Sequence, residues 1–204
     1  MNVPVQYDGY FISFLEYLKM EESSDGKNEY WNGSIIAMAG GTPNHNKLSN
    51  SVGTAIDAEI DRLGLNCSVF SSDQKIYIEK TNNSFYPDCS VVCGAEELYE
   101  NSRSVITNPT LIIEVLSETT KSYDLGSKFE SYRSLPSFRE YVLIWQTVPK
   151  IQSWYKEKED LWRISNVFGL DKEITLFSLG ATLELSTVYK RIRNLSDQDD
   201  PNSY

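Results

Sequence analysis

The sequence predicts an α/β fold with a central mixed β-sheet flanked by α-helices. Three observations lead there. The runs Cys89-Ser90-Val91-Val92-Cys93 and Leu111-Ile112-Ile113-Glu114-Val115-Leu116 are short, β-branched and bounded by turn residues, so they read as buried strands. Leu48, Val52, Ile56, Ile60 and Leu63 recur at the period of an amphipathic helix. Asn32-Gly33 separates two further short runs and is the strongest local hairpin signal, because both turn positions need positive φ.

Taken in order, Tyr10, Phe14, Tyr17 and Leu18 place an amphipathic helix over residues 7–20, which Asp25 and Gly26 break. Residues 29–31 and 34–39 form the two arms of the hairpin. Thr42 reads as an N-cap and Pro43 as the first helical residue, and Gly64 ends that helix. Residues 66–79 are rich in strand formers, with Ile76 and Ile78 alternating. Residues 96–108 form a polar connection that opens on a helical turn. A helix follows over 119–135. Residues 139–145 and 150–156 read as strands separated by Pro149. Residues 162–168 and 174–177 continue the sheet, and 187–193 close as a short helix. No repeat and no second core is visible, so residues 1–195 form one domain and 196–204 a flexible acidic tail.

Composition narrows the function. The chain has 204 residues, 40% hydrophobic and 24% charged, which suits a globular domain with a sizeable core. No apolar run reaches membrane-span length, and no basic-then-apolar leader opens the chain, so a cytoplasmic location with no membrane partner is expected. Cys67, Cys89 and Cys93 are three in number, and no disulfide framework is expected from them. The net charge of −10 argues against strong non-specific binding to nucleic acid, which depends on Lys and Arg neutralising phosphates. Local patches or a bound metal can still change the field at a site.

Two carboxylates stand out within that frame. Side chains alternate along a strand, so Asp88 shares a face with Ser90 and Val92, while Cys89, Val91 and Cys93 face the other way. Glu114 lies inside an apolar run, where an unpaired charge is costly. Its compensator is an Arg or Lys partner, an exposed strand end, or a divalent cation shared with Asp88. Lys128 falls about 60° from Leu125 on a helix stepping about 100° per residue, at the margin of the apolar stripe of Leu125, Phe129 and Tyr132. It either reaches a site at the strand ends or lays its stem over apolar surface with its head in water. His45, the single histidine, sits in the first turn of the 43–63 helix, either as a solvated cap residue or as a phosphate contact. Asp73 and Gln74 either line the same cleft or serve a turn.

The motifs themselves run in a distinctive order. Residues 29–33 read Glu-aromatic-x-x-Gly, 40–45 Gly-Gly-x-x-x-His, and 87–94 Pro-Asp-x-x-Val-Val-Cys-Gly. Residues 109–117 read Pro-x-Leu-Ile-x-Glu-Val-Leu-Ser, 123–128 Tyr-Asp-x-Gly-x-Lys, and 136–143 Pro-Ser-x-Arg-Glu-Tyr-Val-Leu. Over residues 7–190 the chain resembles the Uma-two-type restriction endonuclease family of the PD-(D/E)xK nuclease superfamily. One departure stands out: the superfamily lysine follows the acid by two residues, and Leu116 occupies that place. Lys128 on the next helix is then the candidate.

The resemblance implies a restriction-endonuclease-like arrangement and a Mg²⁺- or Mn²⁺-dependent endonuclease acting on DNA. It implies that Asp88 and Glu114 hold the metal and that Lys128 is catalytic, and it makes Glu29 a candidate added ligand, the other reading being a solvated strand-end carboxylate. His45, Asp73 and Gln74 are candidate substrate contacts. A homodimer follows from the superfamily habit of cutting two strands. Two other classes stay open: a non-catalytic binding or assembly module on the same fold, and a carboxylate-rich metal-binding protein with no nucleic acid partner.

Overall fold

The computed structural model describes residues 11–100, 102–117 and 121–196. Helix α1 (Phe14–Glu22) starts at a capping box. The Ser13 hydroxyl accepts the Glu16 N–H, and the Glu16 carboxylate accepts the Ser13 N–H. Strands β1 (Asn28–Trp31) and β2 (Ser34–Ala37) form the expected hairpin, with positive φ at Asn32 (40°) and Gly33 (95°). Helix α2 (Pro43–Leu63) is capped by Thr42, whose Oγ1 accepts the His45 N–H at 3.1 Å, and stops at Gly64, with φ of 64°.

Strands β3 (Cys67–Ser71), β4 (Lys75–Ile78), β5 (Asn83–Phe85), β6 (Cys89–Cys93), β7 (Val105–Ile106) and β8 (Leu111–Leu116) follow. Next comes a composite helix: α3 (Lys121–Tyr123), a π-helical turn (Asp124–Lys128) and α4 (Phe129–Tyr132). The chain continues with β9 (Glu140–Trp145), β10 (Lys150–Lys158), β11 (Leu161–Phe168), β12 (Glu173–Leu176), β13 (Ala181–Glu184) and α5 (Leu185–Val188).

The main sheet has the order β11-β10-β9-β8-β6-β3 and is mixed: β8 and β9 run parallel and the other pairs antiparallel. Each face has its own core, because alternate residues of a strand point to opposite sides. Cys89, Val91, Leu111, Ile113 and Val115 pack on the α2 stripe Leu48, Val52, Ile56 and Ile60. Val92, Ile112 and Leu116 pack with Phe129, Tyr132 and Tyr141 on the other side. Glu114 shares a strand face with Ile112 and Leu116, so the local pattern aims its carboxylate at the helix bearing Lys128.

The structure departs from the expectations in several places. A second, five-stranded sheet, β2-β1-β5-β4-β7, takes the hairpin and β4 away from the main sheet. Strands β5 and β7 are three and two residues long, too short to show a period in sequence. Residues 174–177 do not extend the main sheet, since β12 pairs with β13 in its own ribbon. The final helix starts at Leu185, not at residue 187.

The three cysteines also behave differently from expectation. Cys67 and Cys93 lie opposite each other in the β3–β6 register and are joined as a disulfide, and Cys89 stays free and buried. The pairing arises from strand register, which residue spacing does not reveal. Among the described residues no helix is long and apolar enough to cross a membrane. The start of the first expected helix at 7–10, the capping segment 118–120 and the tail from 197 lie outside the described residues.

Candidate active site

Asp88 sits immediately before β6. Cys89 pairs with Ile113 in the antiparallel β6–β8 register, so Asp88 comes opposite Glu114. Its N–H donates to Glu114 Oε2 at 3.4 Å, and the Val115 N–H donates to Asp88 Oδ2 at 2.7 Å. The start of α2 closes on the same carboxylate, with His45 Nε2 at 3.1 Å from Asp88 Oδ2. That helix start is itself pinned to the end of β8. The Thr42 hydroxyl donates to Gln146 Oε1 at 2.7 Å, and Gln146 Nε2 donates to the Leu116 carbonyl at 2.9 Å.

Lys128 enters from the other face. Its side chain is buried, and its ammonium lies 3.0 Å from Glu29 Oε1, 3.1 Å from Glu114 Oε1 and 3.5 Å from Asp124 Oδ1. The aromatic rings of Phe85 and Tyr123 stand 5.7 and 5.6 Å from it. Tyr123 donates its hydroxyl to Glu29 Oε2 at 3.2 Å, and Tyr141 donates to the Asp124 carbonyl at 3.0 Å. A regular α-helix would leave Lys128 at the margin of the apolar stripe. The π-helical turn, which bonds i to i+5, holds more residues per turn, and here both Asp124 and Lys128 are buried.

The family model described as "Putative restriction endonuclease" (Uma2) matches residues 14–187. The chain belongs to the Uma2 family. Two uncharacterized Synechocystis sp. proteins, slr1290 and sll1609, are 36% identical over 179 residues and 35% identical over 164. The first alignment covers 88% of this chain and 92% of the relative, the second 80% and 91%. A crystal structure from Anabaena variabilis ATCC 29413, described as a "putative nuclease belonging to DUF820", superposes with a TM-score of 0.69 at 16% identity. It covers 88% of this chain and 98% of that one. The restriction-endonuclease-like fold expected for a Uma2 member is therefore the fold observed.

Electrostatically the Uma2 site is over-supplied with carboxylates. Burial pushes Glu114 well above the ordinary carboxylate range. Lys128 pulls the other way, and Asp124, Asp88 and Glu29 each add to the rise. Burial alone would depress Lys128, but Glu114, Glu29 and Asp124 hold it charged and well above its ordinary value. Burial likewise opposes the His45 cation, yet the hydrogen bond and charge of Asp88 raise it above 6.5. Four acids face one lysine and one histidine, so the site favours a further positive charge.

The donors suit a hard divalent cation, which takes carboxylate oxygens. Among the described residues no three of His, Cys, Asp and Glu converge closely enough to cage an ion. The fitting pair is Asp88 and Glu114, which agrees with the one or two carboxylates Mg²⁺ takes while keeping its waters. Glu29, expected as an added ligand, has its two oxygens turned to Lys128 and Tyr123.

Five of the residues singled out in sequence therefore meet: Asp88, Glu114, Lys128, Glu29 and His45. Asp73 and Gln74 do not join them. Asp73 is exposed and pairs with Lys27, and the Gln74 amide donates to the carbonyls of Lys75 and Ser104. Turn chemistry wins there, because the segment between β3 and β4 leads into the second sheet. Asp124 was missed. Its signal was present, an acid four residues before a lysine on a helix.

Proposed function

We propose that this Uma2 protein is a metal-dependent endonuclease that hydrolyses phosphodiester bonds of DNA, with Asp88 and Glu114 holding Mg²⁺ or Mn²⁺. The observation that carries this is the meeting of a buried lysine with two facing carboxylates. When bound, the metal polarises the scissile phosphate and lowers the pKa of a water nucleophile.

The chain's own residues supply the rest. Glu114 sits within β8 and Asp88 immediately before β6, and the Val115 N–H to Asp88 Oδ2 hydrogen bond ties the second to the first strand. Lys128 carries a permanent positive charge to Glu114's side and stabilises the negative charge that grows on the phosphoryl oxygens. Glu29 and Asp124 hold that ammonium in place. His45 and the N-terminal end of α2 present positive charge beside Asp88, where a phosphate oxygen would lie. A homodimer would bring two such sites to the two strands of a duplex.

The test is nicking of supercoiled plasmid and of single-stranded DNA in Mg²⁺ or Mn²⁺. The wild type should cleave, and Asp88→Asn should not. A second reading, a non-catalytic binding or assembly module, is favoured by one observation: Lys128 is already engaged by three carboxylates, as in a structural ion-pair network. Wild-type protein that binds DNA but cleaves no substrate with any divalent metal would select that reading.

A further inference from the structure

The chain carries ten more negative than positive charges, yet residues 190–193, Lys-Arg-Ile-Arg, place three cations within four positions. Lys190, Arg191 and Arg193 are all exposed, and none pairs with a carboxylate among the described residues. Where this segment sits is decided by its neighbours. Tyr189 is buried at its head, and its hydroxyl lies within hydrogen-bond distance of the carbonyls of Trp145 and Lys150, at 2.8 and 2.7 Å, for its single proton. At its far end the Ser196 N–H donates to the Thr147 carbonyl at 2.8 Å.

Those anchors belong to the catalytic end of the main sheet. Trp145 pairs with Leu116, two residues beyond Glu114. Gln146 bonds both the Leu116 carbonyl and Thr42, the cap of the helix that brings His45 to Asp88. Lys121 adds a cation at the same end, 5.9 Å from the Trp145 ring. An unbroken chain of contacts thus links the acidic site to a basic segment on an otherwise acidic protein. That is the charge arrangement needed to hold a polyanion beside a site whose own acids repel it.

We propose that Lys190, Arg191 and Arg193 form a contact surface for the phosphodiester backbone of the nucleic acid that enters the Asp88–Glu114 site. The inference rests on the nucleic-acid reading above and adds the surface that orients the strand. Backbone contacts fix position and carry no base information, so the surface gives register and affinity rather than sequence choice.

The test uses the full chain, because Asp197, Asp199 and Asp200 follow the segment directly in sequence. A fluorescein-labelled DNA duplex of mixed sequence is titrated by anisotropy in Ca²⁺ over a range of salt. Lys190→Gln/Arg191→Gln/Arg193→Gln is compared with Lys80→Gln/Arg103→Gln/Lys158→Gln. The second variant removes the same charge from three other exposed positions. The first should weaken binding at least tenfold at low salt. It should also flatten the slope of log affinity against log salt by about two to three, at roughly 0.9 for each phosphate no longer neutralised. The second should keep the wild-type slope. Single Arg191→Gln and Arg193→Gln variants, each reducing the slope by about one, guard against misfolding of the triple.

Equal weakening in both triples, an unchanged slope in the first, or no binding of DNA by the wild type would overturn the proposal. So would binding confined to vesicles of anionic lipid. A flattened slope in the first triple, with a wild type that never cleaves, would leave the surface standing and remove the hydrolysis. Cleavage abolished by Asp88→Asn, with the slope intact in the first triple, would do the reverse.

Discussion

Lys128 Nζ stands 3.1 Å from Glu114 Oε1, and both side chains are buried. Fourteen positions separate them in sequence, and one comes from a strand, the other from the end of a π-helical turn. Burying a charge is costly unless it is paired, and removing one partner of a buried pair leaves the other uncompensated. Here the balance is uneven, because Glu29 and Asp124 also face the ammonium.

That imbalance predicts the behaviour of Glu114→Gln. The folded state raises the affinity of Glu114 for a proton above its ordinary value of 4.5. A group shifted this way stabilises the fold at low pH and loses that contribution as pH rises from the unfolded value through the folded one. The amide removes the penalty. In EDTA at pH 8, melting of Glu114→Gln should rise by about 2–4 °C, the shift that roughly 1 kcal/mol gives in a chain of this size. Added Mg²⁺ should raise the melting point of the wild type and leave that of Glu114→Gln unchanged. A melting point lowered in EDTA would show that the Lys128 pair outweighs the repulsion.

His45 gives a proton readout of the same site. Its single imidazole resonance, followed by NMR in metal-free buffer, should titrate above 6.5, because Asp88 outweighs burial. The charged form stabilises the fold fully below the unfolded value and ceases to do so as pH rises through the folded one. In Asp88→Asn the charge of Asp88 is gone while burial and Lys128 still oppose the cation, so the midpoint should fall. A midpoint that does not move would mean that Asp88 does not face His45 in solution.

The cysteines offer a chemical check. Burial, helped by the Asp88 charge, pushes the Cys89 thiol up to about 12, so it should resist alkylation in the native protein. Unfolding without reductant should expose one reactive thiol, and unfolding with reductant three. Three thiols without reductant would mean that Cys67 and Cys93 stand as a dithiol, the form a reducing compartment favours.

Much of this arrangement was legible in the sequence, and the reasons differ by element. The Asn32-Gly33 hairpin and the α2 boundaries at Thr42 and Gly64 were readable because their signals are local and steric. Strands β6 and β8 were readable because apolar β-branched runs have few other uses. Asp88 could be placed on the face of Ser90 and Val92 because side chains alternate, whereas its position opposite Glu114 comes from the β6–β8 register. The second sheet was not readable, since β5 and β7 are held by pairing with distant strands rather than by their own composition. The Cys67–Cys93 bond depends on a register set between strands, with the two cysteines 26 residues apart. Asp124 was not singled out although it stands four residues before Lys128, because the π-helical turn that buries both side chains leaves no mark in that spacing.

Lys128 stands fourteen residues after Glu114, and Leu116 occupies the position two residues after that acid. Single-turnover cleavage rates of Lys128→Ala and Lys121→Ala, with metal affinity measured alongside, test the catalytic role of Lys128 most directly. Lysine coordinates no cation, so its loss should fall on the transition state. Lys128→Ala should lose about 10²–10³ in rate and keep metal affinity within roughly twofold, because one electrostatic group is removed. Lys121, whose ammonium lies 5.9 Å from the Trp145 ring, should cost only a few-fold when removed, on the order of one backbone contact. Near wild-type cleavage by Lys128→Ala would contradict the account, and a large loss in Lys121→Ala instead would move the catalytic charge to that residue.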